Sequence, residues 1–239
     1  MTISNESRGR IKKIFEPIAL AMGRIGLTPG GLTLIGFGIT VVGAVLLSQG
    51  ELWLAGGAVV FLGGVFDMFD DTLARATGKV SKLGAFMDSV FDRAGEVIVY
   101  IGIVIGLARI GIPNGVELAA AALGSAVMVS YTRAKSEGLG FTEGTGMAAI
   151  GIMPREVRLV ILCLGLIVGG ALGVQELITS ENPAVMTTST GAYILLGALA
   201  IIAIGSTITV IQRILHVRSQ AKSATIPVTP TTNETRSST

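Results

Sequence analysis

The segment LAGGAVVFLGGVFDMFDDTLAR, residues 54–75, joins an uncharged apolar run to a cluster of acids. Three aspartates, Asp67, Asp70 and Asp71, fall within five positions at its end. An apolar run of this length is typical of a membrane-spanning helix, which needs about 20 residues to cross the hydrocarbon core. Charged side chains at membrane depth are unfavourable and therefore indicate function. The segment predicts a transmembrane helix with a functional site at one end.

The composition of the whole chain agrees with a membrane protein. Half of the 239 residues are hydrophobic, only 14% are charged, and the mean hydropathy is +0.71. A soluble domain carries about a quarter charged residues. The net charge of +2 does not indicate a nucleic-acid partner. The single cysteine, Cys163, excludes a disulfide within the chain.

Six apolar segments predict an all-α integral membrane protein with six transmembrane helices. Lysines and arginines concentrate before the first segment, between the second and third, between the fourth and fifth, and after the sixth. This bias predicts that both termini and these two loops are cytoplasmic. The predicted spans are residues 31–48, 52–73, 86–108, 116–132, 158–175 and 190–212.

The chain outside the spans divides into two cytoplasmic parts. Residues 1–27 contain RGRIKKIFEPIALAMGR and predict an interfacial amphipathic helix rather than a signal peptide, because Glu16 and Pro17 interrupt the apolar part. Residues 28–217 form the predicted six-helix domain. Residues 218–239 are rich in Ser, Thr and Pro and predict a disordered tail.

Two GxxxG patterns predict close helix packing. They are formed by Gly102 with Gly106 and by Gly165 with Gly169. Packing within one chain is favoured for them over the seam of a dimer, although a homodimer is the expected assembly.

All five aspartates of the chain lie within residues 67–92, at the ends of two consecutive predicted spans. On a helix Asp67 shares a face with Asp70 and Asp71, and Asp88 shares a face with Asp92. A short loop makes the two helices antiparallel neighbours, so their acidic faces can meet. Oxygen ligands without Cys or His indicate a hard divalent ion, Mg²⁺ or Mn²⁺. Four carboxylates suit two ions better than one.

Two other interpretations of the acids remain open at this point. The aspartates could be solvated helix ends paired with Arg75, Lys79 and Arg93, or they could line the cation pathway of a transporter. Five acids in facing pairs disfavour the first interpretation. The chain has no internal repeat that would favour the second.

The spacing Asp67-x2-Asp70-Asp71-x2-Ala74-Arg75-x8-Gly84-x3-Asp88-x3-Asp92 resembles a known signature. It is similar to that of CDP-alcohol phosphatidyltransferases, Asp-x2-Asp-Gly-x2-Ala-Arg-x8-Gly-x3-Asp-x3-Asp, at seven of eight fixed positions. The resemblance extends upstream to LTPGGLT, residues 27–33, and downstream to SYTRAKSEGLG, residues 130–140. It therefore covers the membrane part, about residues 27–217.

The resemblance implies an enzyme of phospholipid biosynthesis in the cell membrane, with its active site on the cytoplasmic side. Such an enzyme transfers a phosphatidyl-type group from a CDP-linked lipid to a small anionic alcohol acceptor and releases CMP. The signature assigns metal binding to Asp67, Asp70, Asp88 and Asp92, and Asp92 is also the implied general base. The residues implied on the side of the nucleotide and its diphosphate are Thr33, Asp71, Ala74, Arg75 and Gly84.

Details outside the signature resemble the phosphatidylinositol-phosphate and archaetidylinositol-phosphate synthase branch. SYTRAKSEGLG is similar to a stretch of that branch, and MPREVRLV matches the arginines of its Glu-Arg-x-x-Arg stretch, with Pro154 in place of the Glu. The implied acceptor is inositol 1-phosphate, and glycerol 3-phosphate is the alternative. The cations predicted to bind the acceptor phosphate are Arg133, Lys135, Arg155, Arg158 and Arg213.

Two positions depart from the family pattern. Gly30 replaces the usual Asn, and Asp71 replaces the glycine that follows Asp70. A glycine permits close approach of a nucleotide, whereas Asp71 adds bulk and charge that alter donor binding or join the metal shell. Three other functions stay open: an aspartate-rich prenyltransferase, a cation transporter, and an inactive relative that binds CDP-lipid without turnover.

Overall fold

A computed structural model of the chain describes residues 5–141, 150–173 and 190–224. Within these ranges the chain forms seven helices and no strand, which confirms the all-helical prediction. In chain order the helices are α1 (Asn5–Arg24), α2 (Pro29–Leu47), α3 (Trp53–Ala76), α4 (Lys82–Ile110), α5 (Gly115–Gly138), α6 (Arg155–Ala171) and α7 (Thr190–Ala224).

A helix lies within or across each of the six predicted spans, although α6 ends at Ala171, before the predicted limit at 175. Of the described helices, four are long and apolar enough to cross a membrane on length and composition. They are α2, α3, α5 and the Thr190–Lys222 part of α7. Helix α6 has only 17 residues. The first half of α4 carries Asp88, Asp92, Arg93 and Glu96. The membrane character is therefore supported by four helices, and the six-span topology stays a prediction.

Both α2 and α4 begin with a hydroxyl side chain that caps the helix. Thr28 accepts a hydrogen bond from the backbone N–H of Gly31, and Pro29 starts the first turn of α2. Ser81 accepts a hydrogen bond from the backbone N–H of Gly84 at the start of α4. Such caps fix the first turn and leave the remaining N–H groups directed out of the helix end.

The helices pack in two groups. Helix α2 contacts both α3 and α4, and α7 contacts both α5 and α6. The two groups meet where α3 packs on α6 and α4 packs on α5. A continuous apolar core runs through both groups and includes the fully buried Trp53, Tyr100, Leu107, Leu166 and Leu199.

Helix α1 packs on the end of α3 that carries the aspartates. Phe15 of α1 contacts Phe69 of α3, with ring centroids 5.1 Å apart, and Ala19 is fully buried against the same cluster as Leu73. The interfacial position predicted for α1 stays a prediction. At the other end of the chain α7 continues to Ala224, past the predicted boundary at 217, and residues 225–239 lie outside the described ranges.

Both GxxxG patterns are used within the chain. A side-chain carbon at Gly102 would overlap the carbonyl oxygen of Ala44 on α2, and Gly106 lies equally close to the backbone of Leu47. On α6, Gly169 lies against the backbone of Gly191 of α7, and Gly165 lies against the side-chain carbon of Ala198 of α7. The glycines therefore let α4 approach α2, and α6 approach α7, at backbone distance.

Candidate active site

Three aspartates from two helices meet at one end of the bundle. Asp67 and Asp70 lie on α3 and Asp88 lies on α4, and the two helices are joined by the short loop 77–81. One carboxylate oxygen from each of the three lies within 4.8 Å of the others. Oxygen donors at this spacing fit a hard divalent cation, which would also offset the mutual repulsion of the carboxylates.

The cluster is held from α2 by Thr33. Its Oγ1 donates a hydrogen bond to Oδ2 of Asp70, with the two oxygens 2.5 Å apart. Asp70 is only 4% exposed, so this bond fixes one orientation of a buried carboxylate. Partners of this kind orient metal ligands. The resemblance assigns Thr33 to the nucleotide side. Thr33 also lines the cleft described next, and its contact with a nucleotide stays a prediction.

A cleft with features suited to phosphate opens beside the cluster, between α2, α3 and α4. Asp71, Ala74 and Gly84 line it, as do Asp70 and Asp88. The capped N-terminal ends of α2 and α4 open into this cleft. Helix N-termini present unpaired N–H groups and a partial positive charge, both of which favour phosphate. Lys79, which sequence reasoning did not assign to a site, adds a cation to the lining. We call this the donor-side cleft.

Asp71, at the position that departs from the family pattern, pairs with Arg75. Arg75 Nε donates to Asp71 Oδ1 at 2.9 Å, and both side chains are largely exposed. Arg75 itself is not among the residues that line the donor-side cleft. The signature assigns the Arg75 guanidinium to the diphosphate. Here that guanidinium is paired with Asp71, the residue that replaces the signature glycine.

Asp92 lies beside Asp67, outside the group of three whose oxygens all lie within 4.8 Å of one another, and it is held by arginines. Arg155 bridges the two groups, because its Nη1 donates to Asp67 at 3.0 Å and its Nη2 lies 2.8 Å from Oδ1 of Asp92. The second contact is an ion pair without hydrogen-bond alignment, since Asp92 Oδ1 accepts no hydrogen bond from the described residues. Arg93 donates to the other oxygen of Asp92 at 3.2 Å. The structure therefore gathers three of the four predicted metal ligands and joins the fourth to them through Arg155.

A second cleft, which we call the acceptor-side cleft, adjoins Asp92 between α4, α5, α6 and α7. Four of the five predicted phosphate contacts line it, and three of these four are Arg133, Arg155 and Arg213. Arg213 is 3% exposed and donates to the carbonyl oxygens of Val129 and Ile150, which fixes its direction. Arg133 pairs with Glu137 at 2.9 Å and remains partly exposed.

The other two predicted phosphate contacts are placed differently. Lys135 is exposed on α5 and does not line the acceptor-side cleft. Arg158 reaches that cleft but is only 1% exposed, and its guanidinium is directed to Glu96 of α4 in a two-pronged ion pair at 2.8 and 2.9 Å. The reason is the choice of partner, because Arg158 pairs with Glu96 in the bundle interior, whereas Arg155, one turn earlier, contacts Asp67 and Asp92.

Glu96 was missed by the sequence reasoning. Its position was a usable signal, because Glu96 lies four residues after Asp92 and therefore shares the face of α4 that carries the site.

These features define a membrane protein with a carboxylate cluster suited to a divalent cation, between a cleft suited to phosphate and a basic cleft. The chain belongs to the CDP-alcohol phosphatidyltransferase family, whose model matches residues 27–218. The match covers all six helices from α2 onward except the end of α7.

The chain is similar to two inositol-phosphate lipid synthases. The phosphatidylinositol phosphate synthase of Streptomyces avermitilis is 30% identical over 225 residues, which are 93% of this chain and 85% of the relative. The archaetidylinositol phosphate synthase of Pyrococcus horikoshii is 32% identical over 155 residues, 65% of this chain and 77% of the relative.

The chain is also similar to solved structures of a phosphatidylinositol phosphate synthase. The crystal structure of Mycobacterium tuberculosis phosphatidylinositol phosphate synthase with CDP-DAG bound matches with a TM-score of 0.68 at 29% identity, covering 86% of this chain and 94% of that one. The same enzyme in complex with manganese and citrate matches with a TM-score of 0.68 at 28% identity, covering 86% and 89%.

Proposed function

We propose that this chain is a divalent-metal-dependent phosphatidyltransferase of phospholipid biosynthesis. It transfers a phosphatidyl-type group from a CDP-linked lipid to inositol 1-phosphate and releases CMP. The observation that carries the proposal is the position of the three-aspartate cluster between the donor-side and acceptor-side clefts. The relatives named above support the choice of acceptor, because they are inositol-phosphate lipid synthases.

Asp67, Asp70 and Asp88 would hold a divalent cation, Mg²⁺ or Mn²⁺, and Asp92 would complete the set for a second ion. When bound, such ions supply positive charge that neutralises the diphosphate of the donor. On the protein side, Thr33 keeps the Asp70 carboxylate in one orientation. The N-terminal ends of α2 and α4, with Lys79, add donors for the phosphate oxygens. Ala74 and Gly84 leave room for the nucleotide. Asp71 and Arg75 contact the CDP-linked donor on the same side of the cluster.

Asp92 is the proposed general base. The acceptor hydroxyl oxygen attacks the lipid-side phosphorus while the phosphoanhydride bond to CMP breaks, and the proton of that hydroxyl passes to the Asp92 carboxylate. CMP leaves with the electron pair of the broken bond. Support comes from the position of Asp92 on the lining of the acceptor-side cleft, next to the cluster.

Arg133, Arg155 and Arg213 are the proposed contacts to the acceptor phosphate. Arginine suits this role because its planar fork can donate two parallel hydrogen bonds to a phosphate. Arg155 also contacts Asp67 and Asp92, so it joins the acceptor phosphate to the carboxylates that surround the reacting phosphorus.

The proposed arrangement in the membrane has six spans, an interfacial α1, cytoplasmic termini and a cytoplasmic active site. Helix α4, with 29 residues, is longer than the roughly 20 residues that a span needs, so its charged start can lie outside the hydrocarbon core. Helix α6, with 17 residues, lies at the short end of the range of about 17–25. We also propose a homodimer, which light scattering in detergent tests.

The test is CMP release by the purified protein in lipid nanodiscs. CDP-diacylglycerol and CDP-archaeol are each supplied with Mn²⁺ or Mg²⁺ and with inositol 1-phosphate, glycerol 3-phosphate or free inositol. We expect release with inositol 1-phosphate, and none after chelation of the metal. If CMP were released with glycerol 3-phosphate and not with inositol 1-phosphate, glycerol 3-phosphate would be the acceptor. Binding of CDP-lipid without any release would identify an inactive relative, and cation flux in proteoliposomes without nucleotide binding would identify a transporter.

A further inference from the structure

Two ion pairs, one helical turn apart, join α4 to α6. Asp92 and Glu96 are four residues apart on α4, and Arg155 and Arg158 are three residues apart on α6, so each set shares a helix face. Asp92 lies 2.8 Å from Arg155, and Glu96 lies 2.8 Å from Arg158. The first pair belongs to the proposed site. The second pair lies one turn further along α4, and the reaction as described does not use it.

The second pair is closed and buried. Arg158 donates from Nε and Nη2 to the two carboxylate oxygens of Glu96, at 2.8 and 2.9 Å. Its side chain is 1% exposed and that of Glu96 is 13% exposed. Arg158 Nη1 donates in addition to the carbonyl oxygen of Met153 at 3.1 Å. Removing one partner of such a pair leaves an uncompensated buried charge, so its geometry is strongly enforced.

Met153 lies in the segment 150–154 that leads into α6, and polar side chains hold that segment at several points. Besides the bond from Arg158, the N–H of Met153 donates to Oγ1 of Thr209 at 3.0 Å. Arg213 Nε donates to the carbonyl oxygen of Ile150 at 3.0 Å. Of these bonds, only the one from Arg158 links the segment to α4. The Glu96–Arg158 pair therefore fixes the position of the start of α6 relative to α4.

We propose that Glu96 is a positioning residue for acceptor binding. Through Arg158 and Met153 it fixes the first turn of α6, and with it the guanidinium of Arg155. The inference rests on the proposed function, because Arg155 is the proposed contact to the acceptor phosphate. Glu96 does not line the donor-side cleft, so we expect its main effect on the acceptor.

Steady-state kinetics of Glu96→Ala and Glu96→Gln test the proposal. We expect Glu96→Ala to raise the KM for inositol 1-phosphate by about tenfold or more, the scale reported for outer partners of a ligating side chain. The KM for the CDP-lipid stays within about twofold, because the donor-side cleft is unchanged. Glu96→Gln keeps the size and one acceptor oxygen, gives a smaller effect, and serves as the readout if the Ala variant does not fold. Gln49→Ala is the control, since its bond with Arg109 lies at the far end of α4.

A double-mutant cycle with Arg158→Ala tests whether Glu96 acts through Arg158. In that case the double variant has a KM for the acceptor no higher than the worse single variant. Additive effects, or an equal loss of donor affinity, would overturn the proposal. An unchanged acceptor KM with only a lower melting temperature would also overturn it, because Glu96 would then be a structural brace.

Hydrogen exchange gives a readout that is independent of activity. Glu96→Ala is expected to speed amide exchange in residues 150–158 and to leave residues 81–88 unchanged. If the wild-type protein releases no CMP with any acceptor, the proposed function fails, while this exchange pattern still tests the link from Glu96 to the start of α6. No change in exchange at 150–158 would overturn that link.

Discussion

The hydroxyl of Thr33 on α2 donates to the carboxylate of Asp70 on α3 across 2.5 Å, and it is the bond that ties the metal cluster to a third helix. A buried carboxylate with one fixed orientation binds a cation with less loss of side-chain freedom.

We expect Thr33→Val, which keeps the shape and removes the donor, to weaken Mn²⁺ binding by about tenfold to a hundredfold. Titration calorimetry or electron paramagnetic resonance of Mn²⁺ measures the Mn²⁺ affinity without turnover. Thr72→Val on α3 is the matched control, because the Thr72 hydroxyl donates only to the backbone of its own helix. Equal Mn²⁺ affinity of Thr33→Val and wild type would show that the bond does not orient a ligand.

Adjacent aspartates are expected to behave in opposite ways. Asp70→Ala removes a member of the cluster and should abolish CMP release and Mn²⁺ binding. Asp71→Gly restores the signature residue, frees Arg75 from its ion pair, and should retain or raise activity. Parallel assays of the two variants measure this. An inactive Asp71→Gly together with an active Asp70→Ala would mean that the assigned register of the metal ligands is wrong.

Arg155 is expected to control acceptor affinity. Arg155→Gln removes a charge that contacts Asp67 and Asp92, and loss of a buried charged partner is worth about 2 kcal/mol or more, or roughly thirtyfold in kcat/KM for the acceptor. Kinetics with inositol 1-phosphate varied at saturating donor measure the loss. Arg109→Gln, at the opposite end of α4, should leave the acceptor constants unchanged. An effect of Arg155→Gln on the donor KM alone would contradict the assignment.

The contact between α4 and α2 predicts a difference between two glycines. Gly102→Ala introduces a carbon that overlaps the backbone of Ala44, and overpacking of this kind costs about 1–3 kcal/mol. Gly124→Ala on α5 meets no atom within 4 Å and should be neutral or slightly stabilising. Thermal unfolding in detergent compares the two variants. If Gly102→Ala were as stable as wild type, α4 and α2 would not pack at backbone distance.

Features that depend on local sequence were predictable. The helical period brings Asp67 and Asp70 to one face of α3, and the short loop 77–81 brings Asp88 beside them, so the cluster follows from spacing alone. The apolar segments likewise predicted where α2 to α7 lie.

Features that depend on helix rotation and distant contacts were not predictable. Packing against α4 decides the partner of each arginine at the start of α6. Arg155 pairs with Asp92 beside the cleft, and Arg158 pairs with Glu96 in the interior. Lys135 does not line the acceptor-side cleft, which α5 lines with Arg133, Ala134 and Glu137 instead. The partner of Thr33 lies 37 residues away, and no local pattern indicates it.

The five-residue loop 77–81 has a consequence for biosynthesis. Because α3 and α4 are consecutive, the three cluster carboxylates and their Thr33 tether have all been synthesised before α5 begins at Gly115. The acceptor arginines Arg133, Arg155 and Arg213 follow in the later half of the chain. The ribosome thus delivers the anionic half of the catalytic centre first, and the carboxylates are without Arg155 as a counter-charge until α6 emerges.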